Sequence, residues 1–330
     1  MKIGYYGDGA WARECFRLVR ESEELELVFV VGRYGTPDPE LRTLTEEAGL
    51  PFRAVEDVNS EEFLEWVRDF KVDVQASMSY DQIIGQEIRD LAPSGFVNCH
   101  AGALPFYRGR NVLNWALING EDRFGITVHE MDSGIDTGDI LLQKYVPIHP
   151  DDDYGDLLNK AVEECAVTLH QALRQVAKGT VDRSPQDQIH PVGFYCSKRR
   201  EGDEWIDWGW SAKRVHNFVR ALAPPGPGAR TLLGGNMMAI TETELIPQAP
   251  TYIDRPGSVV GTGPNSCIVK TGDSTLRIQR VASVGQNGAL RDKRPPGEFR
   301  LGRRLRGRKE RQVEQLQKRV EALERRLDED

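Results

Sequence analysis

From residue 2 to residue 178 the chain alternates between short apolar runs of strand character and longer segments of helical periodicity. No other feature restricts its fold as much. Residues 2–6 and 25–32 read as strands around a helix from Ala10 to about Glu21. The series continues with a helix over Ser60–Phe70, an apolar run over Val72–Met78, a strand over Gly95–Cys99 and a helix over Asn111–Asn119. Strands over Gly125–Met131 and Ile140–Ile148 follow. Strand, helix, strand with short connections predicts an α/β domain built on a mostly parallel sheet. Asp151-Asp152-Asp153 then offers caps and favourable charge to a long amphipathic helix reaching about Lys178, where Gly179 stops it.

Beyond residue 180 the pattern changes. Residues 180–200 are polar, contain Pro185 and Pro191, and read as a linker. A helix over Ser211–Ala223 is closed by Pro224-Pro225-Gly226-Pro227-Gly228. Short strands over Met237–Thr243, Gly257–Gly261, Cys267–Thr271 and Thr275–Val281 recur between glycines and prolines and predict a small barrel. Val313, Leu316, Val320, Leu323 and Leu327 are spaced like a coiled-coil seam, over barely two heptads. Such a helix can pair two chains into a homodimer, dock on its own body, or fray. The expected division is residues 1–190, 191–300 and a basic amphipathic helical tail at 301–330.

Charge narrows the function. The chain has 43 Lys plus Arg and 51 Asp plus Glu, a net of −8. Residues 291–330 hold 14 basic and 9 acidic side chains, which leaves 29 against 42 and a net of −13 for residues 1–290. An acidic body argues against non-specific nucleic-acid binding. No run of about 18 apolar residues exists, so no membrane span is expected. A start of strand character without a signal-peptide pattern predicts a cytoplasmic chain. The five cysteines are scattered and form no CxxC pair, so neither a disulfide framework nor a zinc site is signalled.

Three segments can carry chemistry. Gly7-Asp8-Gly9-Ala10-Trp11-Ala12 fits G-x-G-x-x-A after a first strand. It admits a dinucleotide-binding turn, with Arg33 to meet a 2′-phosphate and an NADP-dependent oxidoreductase as the implied class. It equally admits the tight turn that any α/β protein needs there. In Phe96-Val97-Asn98-Cys99-His100-Ala101-Gly102, strand alternation sets Asn98 and His100 on one side. An amide that can donate to an oxyanion then stands beside an imidazole that can carry protons, at the carboxyl end of a strand. Met131-Asp132-Ser133-Gly134-Ile135-Asp136-Thr137-Gly138-Asp139 brings three carboxylates into one loop, suited to a divalent cation or to orienting a histidine.

Asn98-Cys99-His100, the Leu104-Pro105-Phe106-Tyr107-Arg108-Gly109-Arg110 continuation and, 36 residues after His100, Asp136-Thr137-Gly138-Asp139 together resemble the folate-dependent formyltransferases. The resemblance implies a Rossmann-like catalytic domain followed by a small OB-like β-barrel. It implies transfer of a formyl group from N10-formyltetrahydrofolate to an amine, with Asn98, His100 and Asp136 catalytic and no metal required. It implies folate contacts at Ser79, Tyr80, Asp81, Gln82, Ile83, Ile84 and Ile135, and it places Gly9 near the substrate end.

Within that family, methionyl-tRNA enzymes carry a basic loop after the second strand. Here the segment is Gly32-Arg33-Tyr34-Gly35-Thr36-Pro37-Asp38-Pro39-Glu40, with one basic residue. Tyr107-Arg108-Gly109-Arg110-Asn111-Val112-Leu113-Asn114-Trp115 is similar to the sugar-nucleotide branch, so Tyr107, Arg108 and Arg110 are the expected substrate contacts. The expected acceptor is therefore the primary amine of a nucleotide-linked amino sugar, with methionyl-tRNA or another amine as the alternative. His129, in a strand two residues before Met131, can approach the site but reads first as a core histidine, and His149, His170, His190 and His216 read as structural. Trp205, Trp208, Trp210, Phe194 and Tyr195 read as core packing or a stacking face.

Overall fold

The computed structural model describes residues 1–329. By contacts it divides into two compact units, one of residues 1–113, 122–149 and 157–198, the other of 114–121, 150–156 and 199 onward. In chain order the first half runs β1 (Lys2–Gly7), α1 (Gly9–Arg20), β2 (Glu26–Val31), α2 (Pro39–Glu47), β3 (Phe52–Arg53), α3 (Glu61–Phe70), β4 (Val74–Met78), α4 (Gln86–Arg89), β5 (Phe96–His100) and β6 (Arg108–Gly109). There follow α5 (Val112–Asn119), β7 (Arg123–Glu130), β8 (Ile140–Pro147), α6 (Tyr154–Lys178), α7 (Gln186–Ile189) and β9 (Tyr195–Cys196).

Seven strands form the sheet of the first unit in the order β3-β2-β1-β4-β5-β7-β8. The first five are parallel, and β7 and β8 extend the sheet antiparallel. β1 and β4 are buried almost throughout, as central strands of a parallel sheet are, and β4 carries Gln75 and Ser77 into that interior. On one face Tyr6, Phe29, Phe63, Val67 and Phe96 make a dry cluster, and each such side chain contributes about 1.5–3 kcal/mol by burial. The Tyr6 hydroxyl, inside that cluster, donates to Gln75 Oε1 at 2.6 Å, so its polar end is satisfied. β1 lies between β2 and β4, the switch point at which open α/β sheets gather ligands. In register, Gly7, Met78 and Cys99 stand abreast at the carboxyl ends of β1, β4 and β5.

The polar stretch expected as a linker is instead largely bonded into the first unit. Ser184 exchanges both backbone hydrogen bonds with Ile140, each 2.9 Å. β9 then pairs in parallel with β6. Its low hydrophobicity misleads because it is held by backbone pairing rather than by apolar burial.

In the second unit α8 (Ala212–Ala221), capped by the Ser211 hydroxyl, lays Val215, Phe218 and Val219 into the core. The sheet comprises β10 (Ala229–Leu233), β11 (Asn236–Leu245), β12 (Val259–Thr262), β13 (Cys267–Lys270), β14 (Thr275–Val284), β15 (Leu290–Arg294) and β16 (Leu305–Arg306). All pairings are antiparallel, in the order β12-β13-β14-β11-β10-β16 with β15 on β14. β10, β15 and β16 were not apparent in the sequence, and the Leu-Arg-Asp-Lys-Arg of β15 shows why: a largely exposed strand has little hydrophobic pattern. Trp208 packs the core, and Trp205 is buried with the Arg311 guanidinium 4.3 Å over its ring.

The chain closes with α9 (Arg308–Glu329). Val313, Leu316, Val320 and Leu323 are each more than half exposed on it; the Leu327 side chain lies outside the described residues. Among the described residues no helix is long and apolar enough to cross a membrane.

Candidate active site

β5 ends in Asn98-Cys99-His100, and its pleat sends Cys99 one way and its two neighbours the other. The Cys99 thiol faces the Cys165 carbonyl at 3.6 Å. On the opposite side the Asn98 carbonyl oxygen accepts from Ser77 Oγ of β4 at 2.7 Å. The Asn98 amide nitrogen faces His129 Nε2 at 3.2 Å, because antiparallel pairing sets His129 of β7 opposite Asn98. His129 Nδ1 lies 2.8 Å from the Glu130 carbonyl, which can only accept, so Nδ1 carries the proton and Nε2 accepts from Asn98. Among the described residues the other Asn98 N–H meets no acceptor.

Of the two readings open to His129 from the sequence, the structure therefore favours the approach to the site over simple core packing. The imidazole is 2 % exposed and buttresses the amide beside it. Strand alternation alone could not find it, since the signal is the register between two strands thirty residues apart.

His100 is fixed in the same way. Its Nε2 lies 2.7 Å from the Tyr107 carbonyl and so carries the proton. Nδ1 has no hydrogen-bond partner among the described residues and lies 3.7 Å from Asp136 Oδ2. Burial lowers the His100 pKa below its ordinary value, outweighing the opposite pull of the Asp136 carboxylate. At neutral pH the imidazole is thus an uncharged base whose open nitrogen has a carboxylate waiting behind any proton it takes.

Burial alone would raise the Asp136 pKa. The imidazoles of His100 and His129 and the Gly109 N–H outweigh that and hold its carboxyl well below the usual carboxylate range. Gly109 N donates to Oδ2 at 2.8 Å, and Oδ1 lies 3.5 Å from His129 Nε2. Asp136 has φ 55°, a left-handed conformation that aspartate tolerates better than most residues.

Two glycines make this closeness possible. A Cβ on Gly102 would lie 2.5 Å from both His100 Nε2 and the Tyr107 carbonyl. A Cβ on Gly109 would lie 2.6 Å from the Cys196 carbonyl, and residue 109 already has φ 91°.

Asn98, His100 and Asp136, expected from the sequence to share a site, do meet in one cluster. The other expected residues are placed variously. Ser79 has φ 58° and its carbonyl receives Arg33 Nη2 at 2.7 Å and Nε at 3.1 Å. Arg33 is also 3.8 Å from Asp8, so the residue on which an NADP reading depends is engaged inside the protein. Tyr80 packs edge-on against Tyr6. The Gln82 side chain ties down the Val55 carbonyl and the Val58 N–H, and Ile84 is buried; both shape the loop from within. Asp81 is exposed, while Ile83 and Ile135 are exposed at 80 % and 60 %. Gly9 has φ 68° at the start of α1, with open space where a Cβ would stand. Arg110 is exposed and its N–H pairs with the Cys196 carbonyl. Arg108 donates through Nε and Nη2 to Gln186 Oε1 at 3.1 and 2.6 Å. Phe194 and Tyr195 are not part of the second core: Phe194 packs against Tyr107 at 4.9 Å, and Tyr195 lies under the Arg108 guanidinium. Among the described residues no group of three or more His, Cys, Asp or Glu is placed to hold a metal ion.

Residues 8–173 match the family described as Formyl transferase, and residues 199–288 match Formyl transferase, C-terminal domain. The chain belongs to the formyltransferase family. A methionyl-tRNA formyltransferase of Geobacter metallireducens is 32 % identical over 248 residues, 75 % of this chain and 78 % of that protein. The methionyl-tRNA formyltransferase of Geobacter sulfurreducens is 31 % identical over 313 residues, 92 % of this chain and 95 % of that one. Among solved structures, the N-formyltransferase from Helicobacter canadensis in complex with folinic acid and dTDP-3-aminofucose is similar with a TM-score of 0.65. It is 17 % identical, covering 84 % of this chain and 98 % of that chain. The formyltransferase is thus an N-formyltransferase with the two-unit fold of its relatives.

Proposed function

We propose that this formyltransferase moves the formyl group of N10-formyltetrahydrofolate onto the primary amine of a nucleotide-linked amino sugar. The observation that carries the choice of acceptor is the pairing of cations around the first turn. Arg33 is bound to Ser79 and near Asp8, Arg13 pairs with Glu40 and Asp38, and Arg17 pairs with Glu14 and Glu40. Binding tRNA depends on cations left to neutralise phosphates, and this face offers its arginines to its own carboxylates. The sugar nucleotide in the Helicobacter canadensis structure supports the same reading. Methionyl-tRNA is the second reading, favoured by the sequence relatives.

The folate supplies an activated formyl carbon. The Tyr80 hydroxyl, buried without a hydrogen-bond partner among the described residues, and the exposed Ile83 and Ile135 offer a polar and apolar surface for its ring. The spare Asn98 N–H donates to the formyl oxygen as negative charge gathers there when the neutral amine attacks. His100 Nδ1 takes the proton the amine loses, Asp136 holds the resulting imidazolium, and the proton passes to the departing folate nitrogen. The balance is one proton moved from amine to folate nitrogen and one C–N bond exchanged for another. Incubation with N10-formyltetrahydrofolate and a dTDP- or UDP-linked 4-amino sugar is expected to release tetrahydrofolate and to add the mass of a formyl group to the nucleotide. No turnover with amino-sugar nucleotides, together with turnover of methionyl-tRNA, selects the second reading.

All five cysteines are free thiols, which suits a reducing cytoplasm. For α9 we propose pairing with a second copy, parallel and in register. Val313 and Val320 occupy a positions and Leu316 and Leu323 d positions, the combination that favours two parallel strands. Sedimentation of the full chain is expected to show a dimer, and Leu316→Lys with Val320→Glu a monomer with unchanged formyl transfer. A monomeric parent chain, or a dimer indifferent to both changes, overturns this assembly.

A further inference from the structure

The segment that sequence reads as a linker carries one buried amide whose four hydrogen-bonding positions are all used at the site. Gln186 is 4 % exposed. Its Nε2 donates to the Asp136 carbonyl at 2.9 Å and to the Gly138 carbonyl at 2.8 Å. Its Oε1 accepts both bonds from Arg108. This side-chain amide thus ties the main chain under the Asp136 carboxylate to the guanidinium of the loop carrying Tyr107 and Gly109.

We infer that Gln186 is a positioning residue with two separable duties: its nitrogen end sets Asp136 against His100, and its oxygen end aims Arg108. The inference rests on the roles given above to Asp136 and His100. Asp136 sits at a positive φ within a glycine-punctuated loop. Its side-chain direction there is fixed by the Gly109 N–H in front and by Gln186 behind. Arg108 in turn lies against Gly193, where a Cβ would fall 3.0 Å from the guanidinium carbon, and over the Tyr195 ring. The short segment from Gln186 to Tyr195 therefore moulds the arginine on three sides.

The two ends are distinguished by two substitutions. Gln186→Glu keeps an acceptor for Arg108 and loses both donors to the Asp136 loop. It is expected to lower kcat by about 10- to 100-fold and to leave KM for the amine within about twofold. Gln186→Leu loses both ends and is expected to lower kcat similarly while raising KM as Arg108 drifts. A readout free of any acceptor comes from the imidazole itself. In Gln186→Leu the carboxylate that supports the His100 cation is displaced, so the His100 pKa, followed by long-range 1H–15N NMR on the whole protein, falls by roughly half a unit or more. A folded Gln186→Leu with an unmoved His100 titration, or a folded Gln186→Glu with parental kcat, overturns the inference. Asp136→Asn is the reference: if it retains the parental rate, the site reading fails as well, whereas an inactive Asp136→Asn beside an active Gln186→Glu confines the failure to Gln186.

Discussion

His100→Asn lowers kcat by about 10³-fold while the protein stays folded, because the shorter amide can still reach toward the Tyr107 carbonyl but offers no base. The pH profile sharpens this. Burial depresses the His100 pKa below 6.5, so the imidazole is already neutral at neutral pH. The acid limb, where Nδ1 becomes protonated, then falls at a lower pH than an ordinary histidine would give. The Asp136 carboxyl is held far lower and adds no separate limb above that point. In His100→Asn the acid limb disappears along with the rate. Parental turnover in a folded His100→Asn, or an acid limb that survives the substitution, refutes the role of His100.

Asn98→Ala is expected to lower kcat by about 10²–10³-fold with a small change in KM, since the lost N–H matters only when charge has developed on the formyl oxygen. The same change leaves Ser77 Oγ and His129 Nε2 without their partner, at a cost of about 1–3 kcal/mol in stability. Asn98→Asp separates the two effects. The carboxylate still accepts from Ser77 but cannot donate, and it adds a negative charge near Asp136. Thermal midpoints read the stability loss and steady-state rates the catalytic one. An Asn98→Asp protein as active as its parent would rule out oxyanion donation by residue 98.

Much of this was legible in the chain itself. The strand and helix alternation predicted the parallel half of the sheet, and strand alternation set Asn98 beside His100, but Asp136 was singled out from its loop only by the family resemblance, since which of three loop carboxylates faces a histidine is not a local feature. The place of His129 was open from the sequence but not decided by it, and that of Gln186 was not visible, for different reasons. His129 enters only because β7 runs antiparallel to β5 with residue 129 opposite residue 98, and neither direction nor register is written in a single strand's alternation. Gln186 lies in a polar stretch whose backbone pairs with Ile140 and the β6 strand, an arrangement with no hydrophobic signature. The expected folate list shows the same limit: a loop segment can be named from sequence, but which of its side chains face inward, as Gln82 and Ile84 do, depends on the packing beneath it.

The pairing of β9 with β6 bears on where this protein can be cut. The family match ends at residue 173, and a fragment truncated there retains every strand of the parallel sheet together with Asn98, His100 and Asp136. It nevertheless lacks the strand against which Gly109 lies and the amide under Asp136. Such a fragment would keep the catalytic side chains but lose the frame that aims them. The last segment of the first compact unit runs on to Lys198, so a cut after that residue keeps both the strand and the amide.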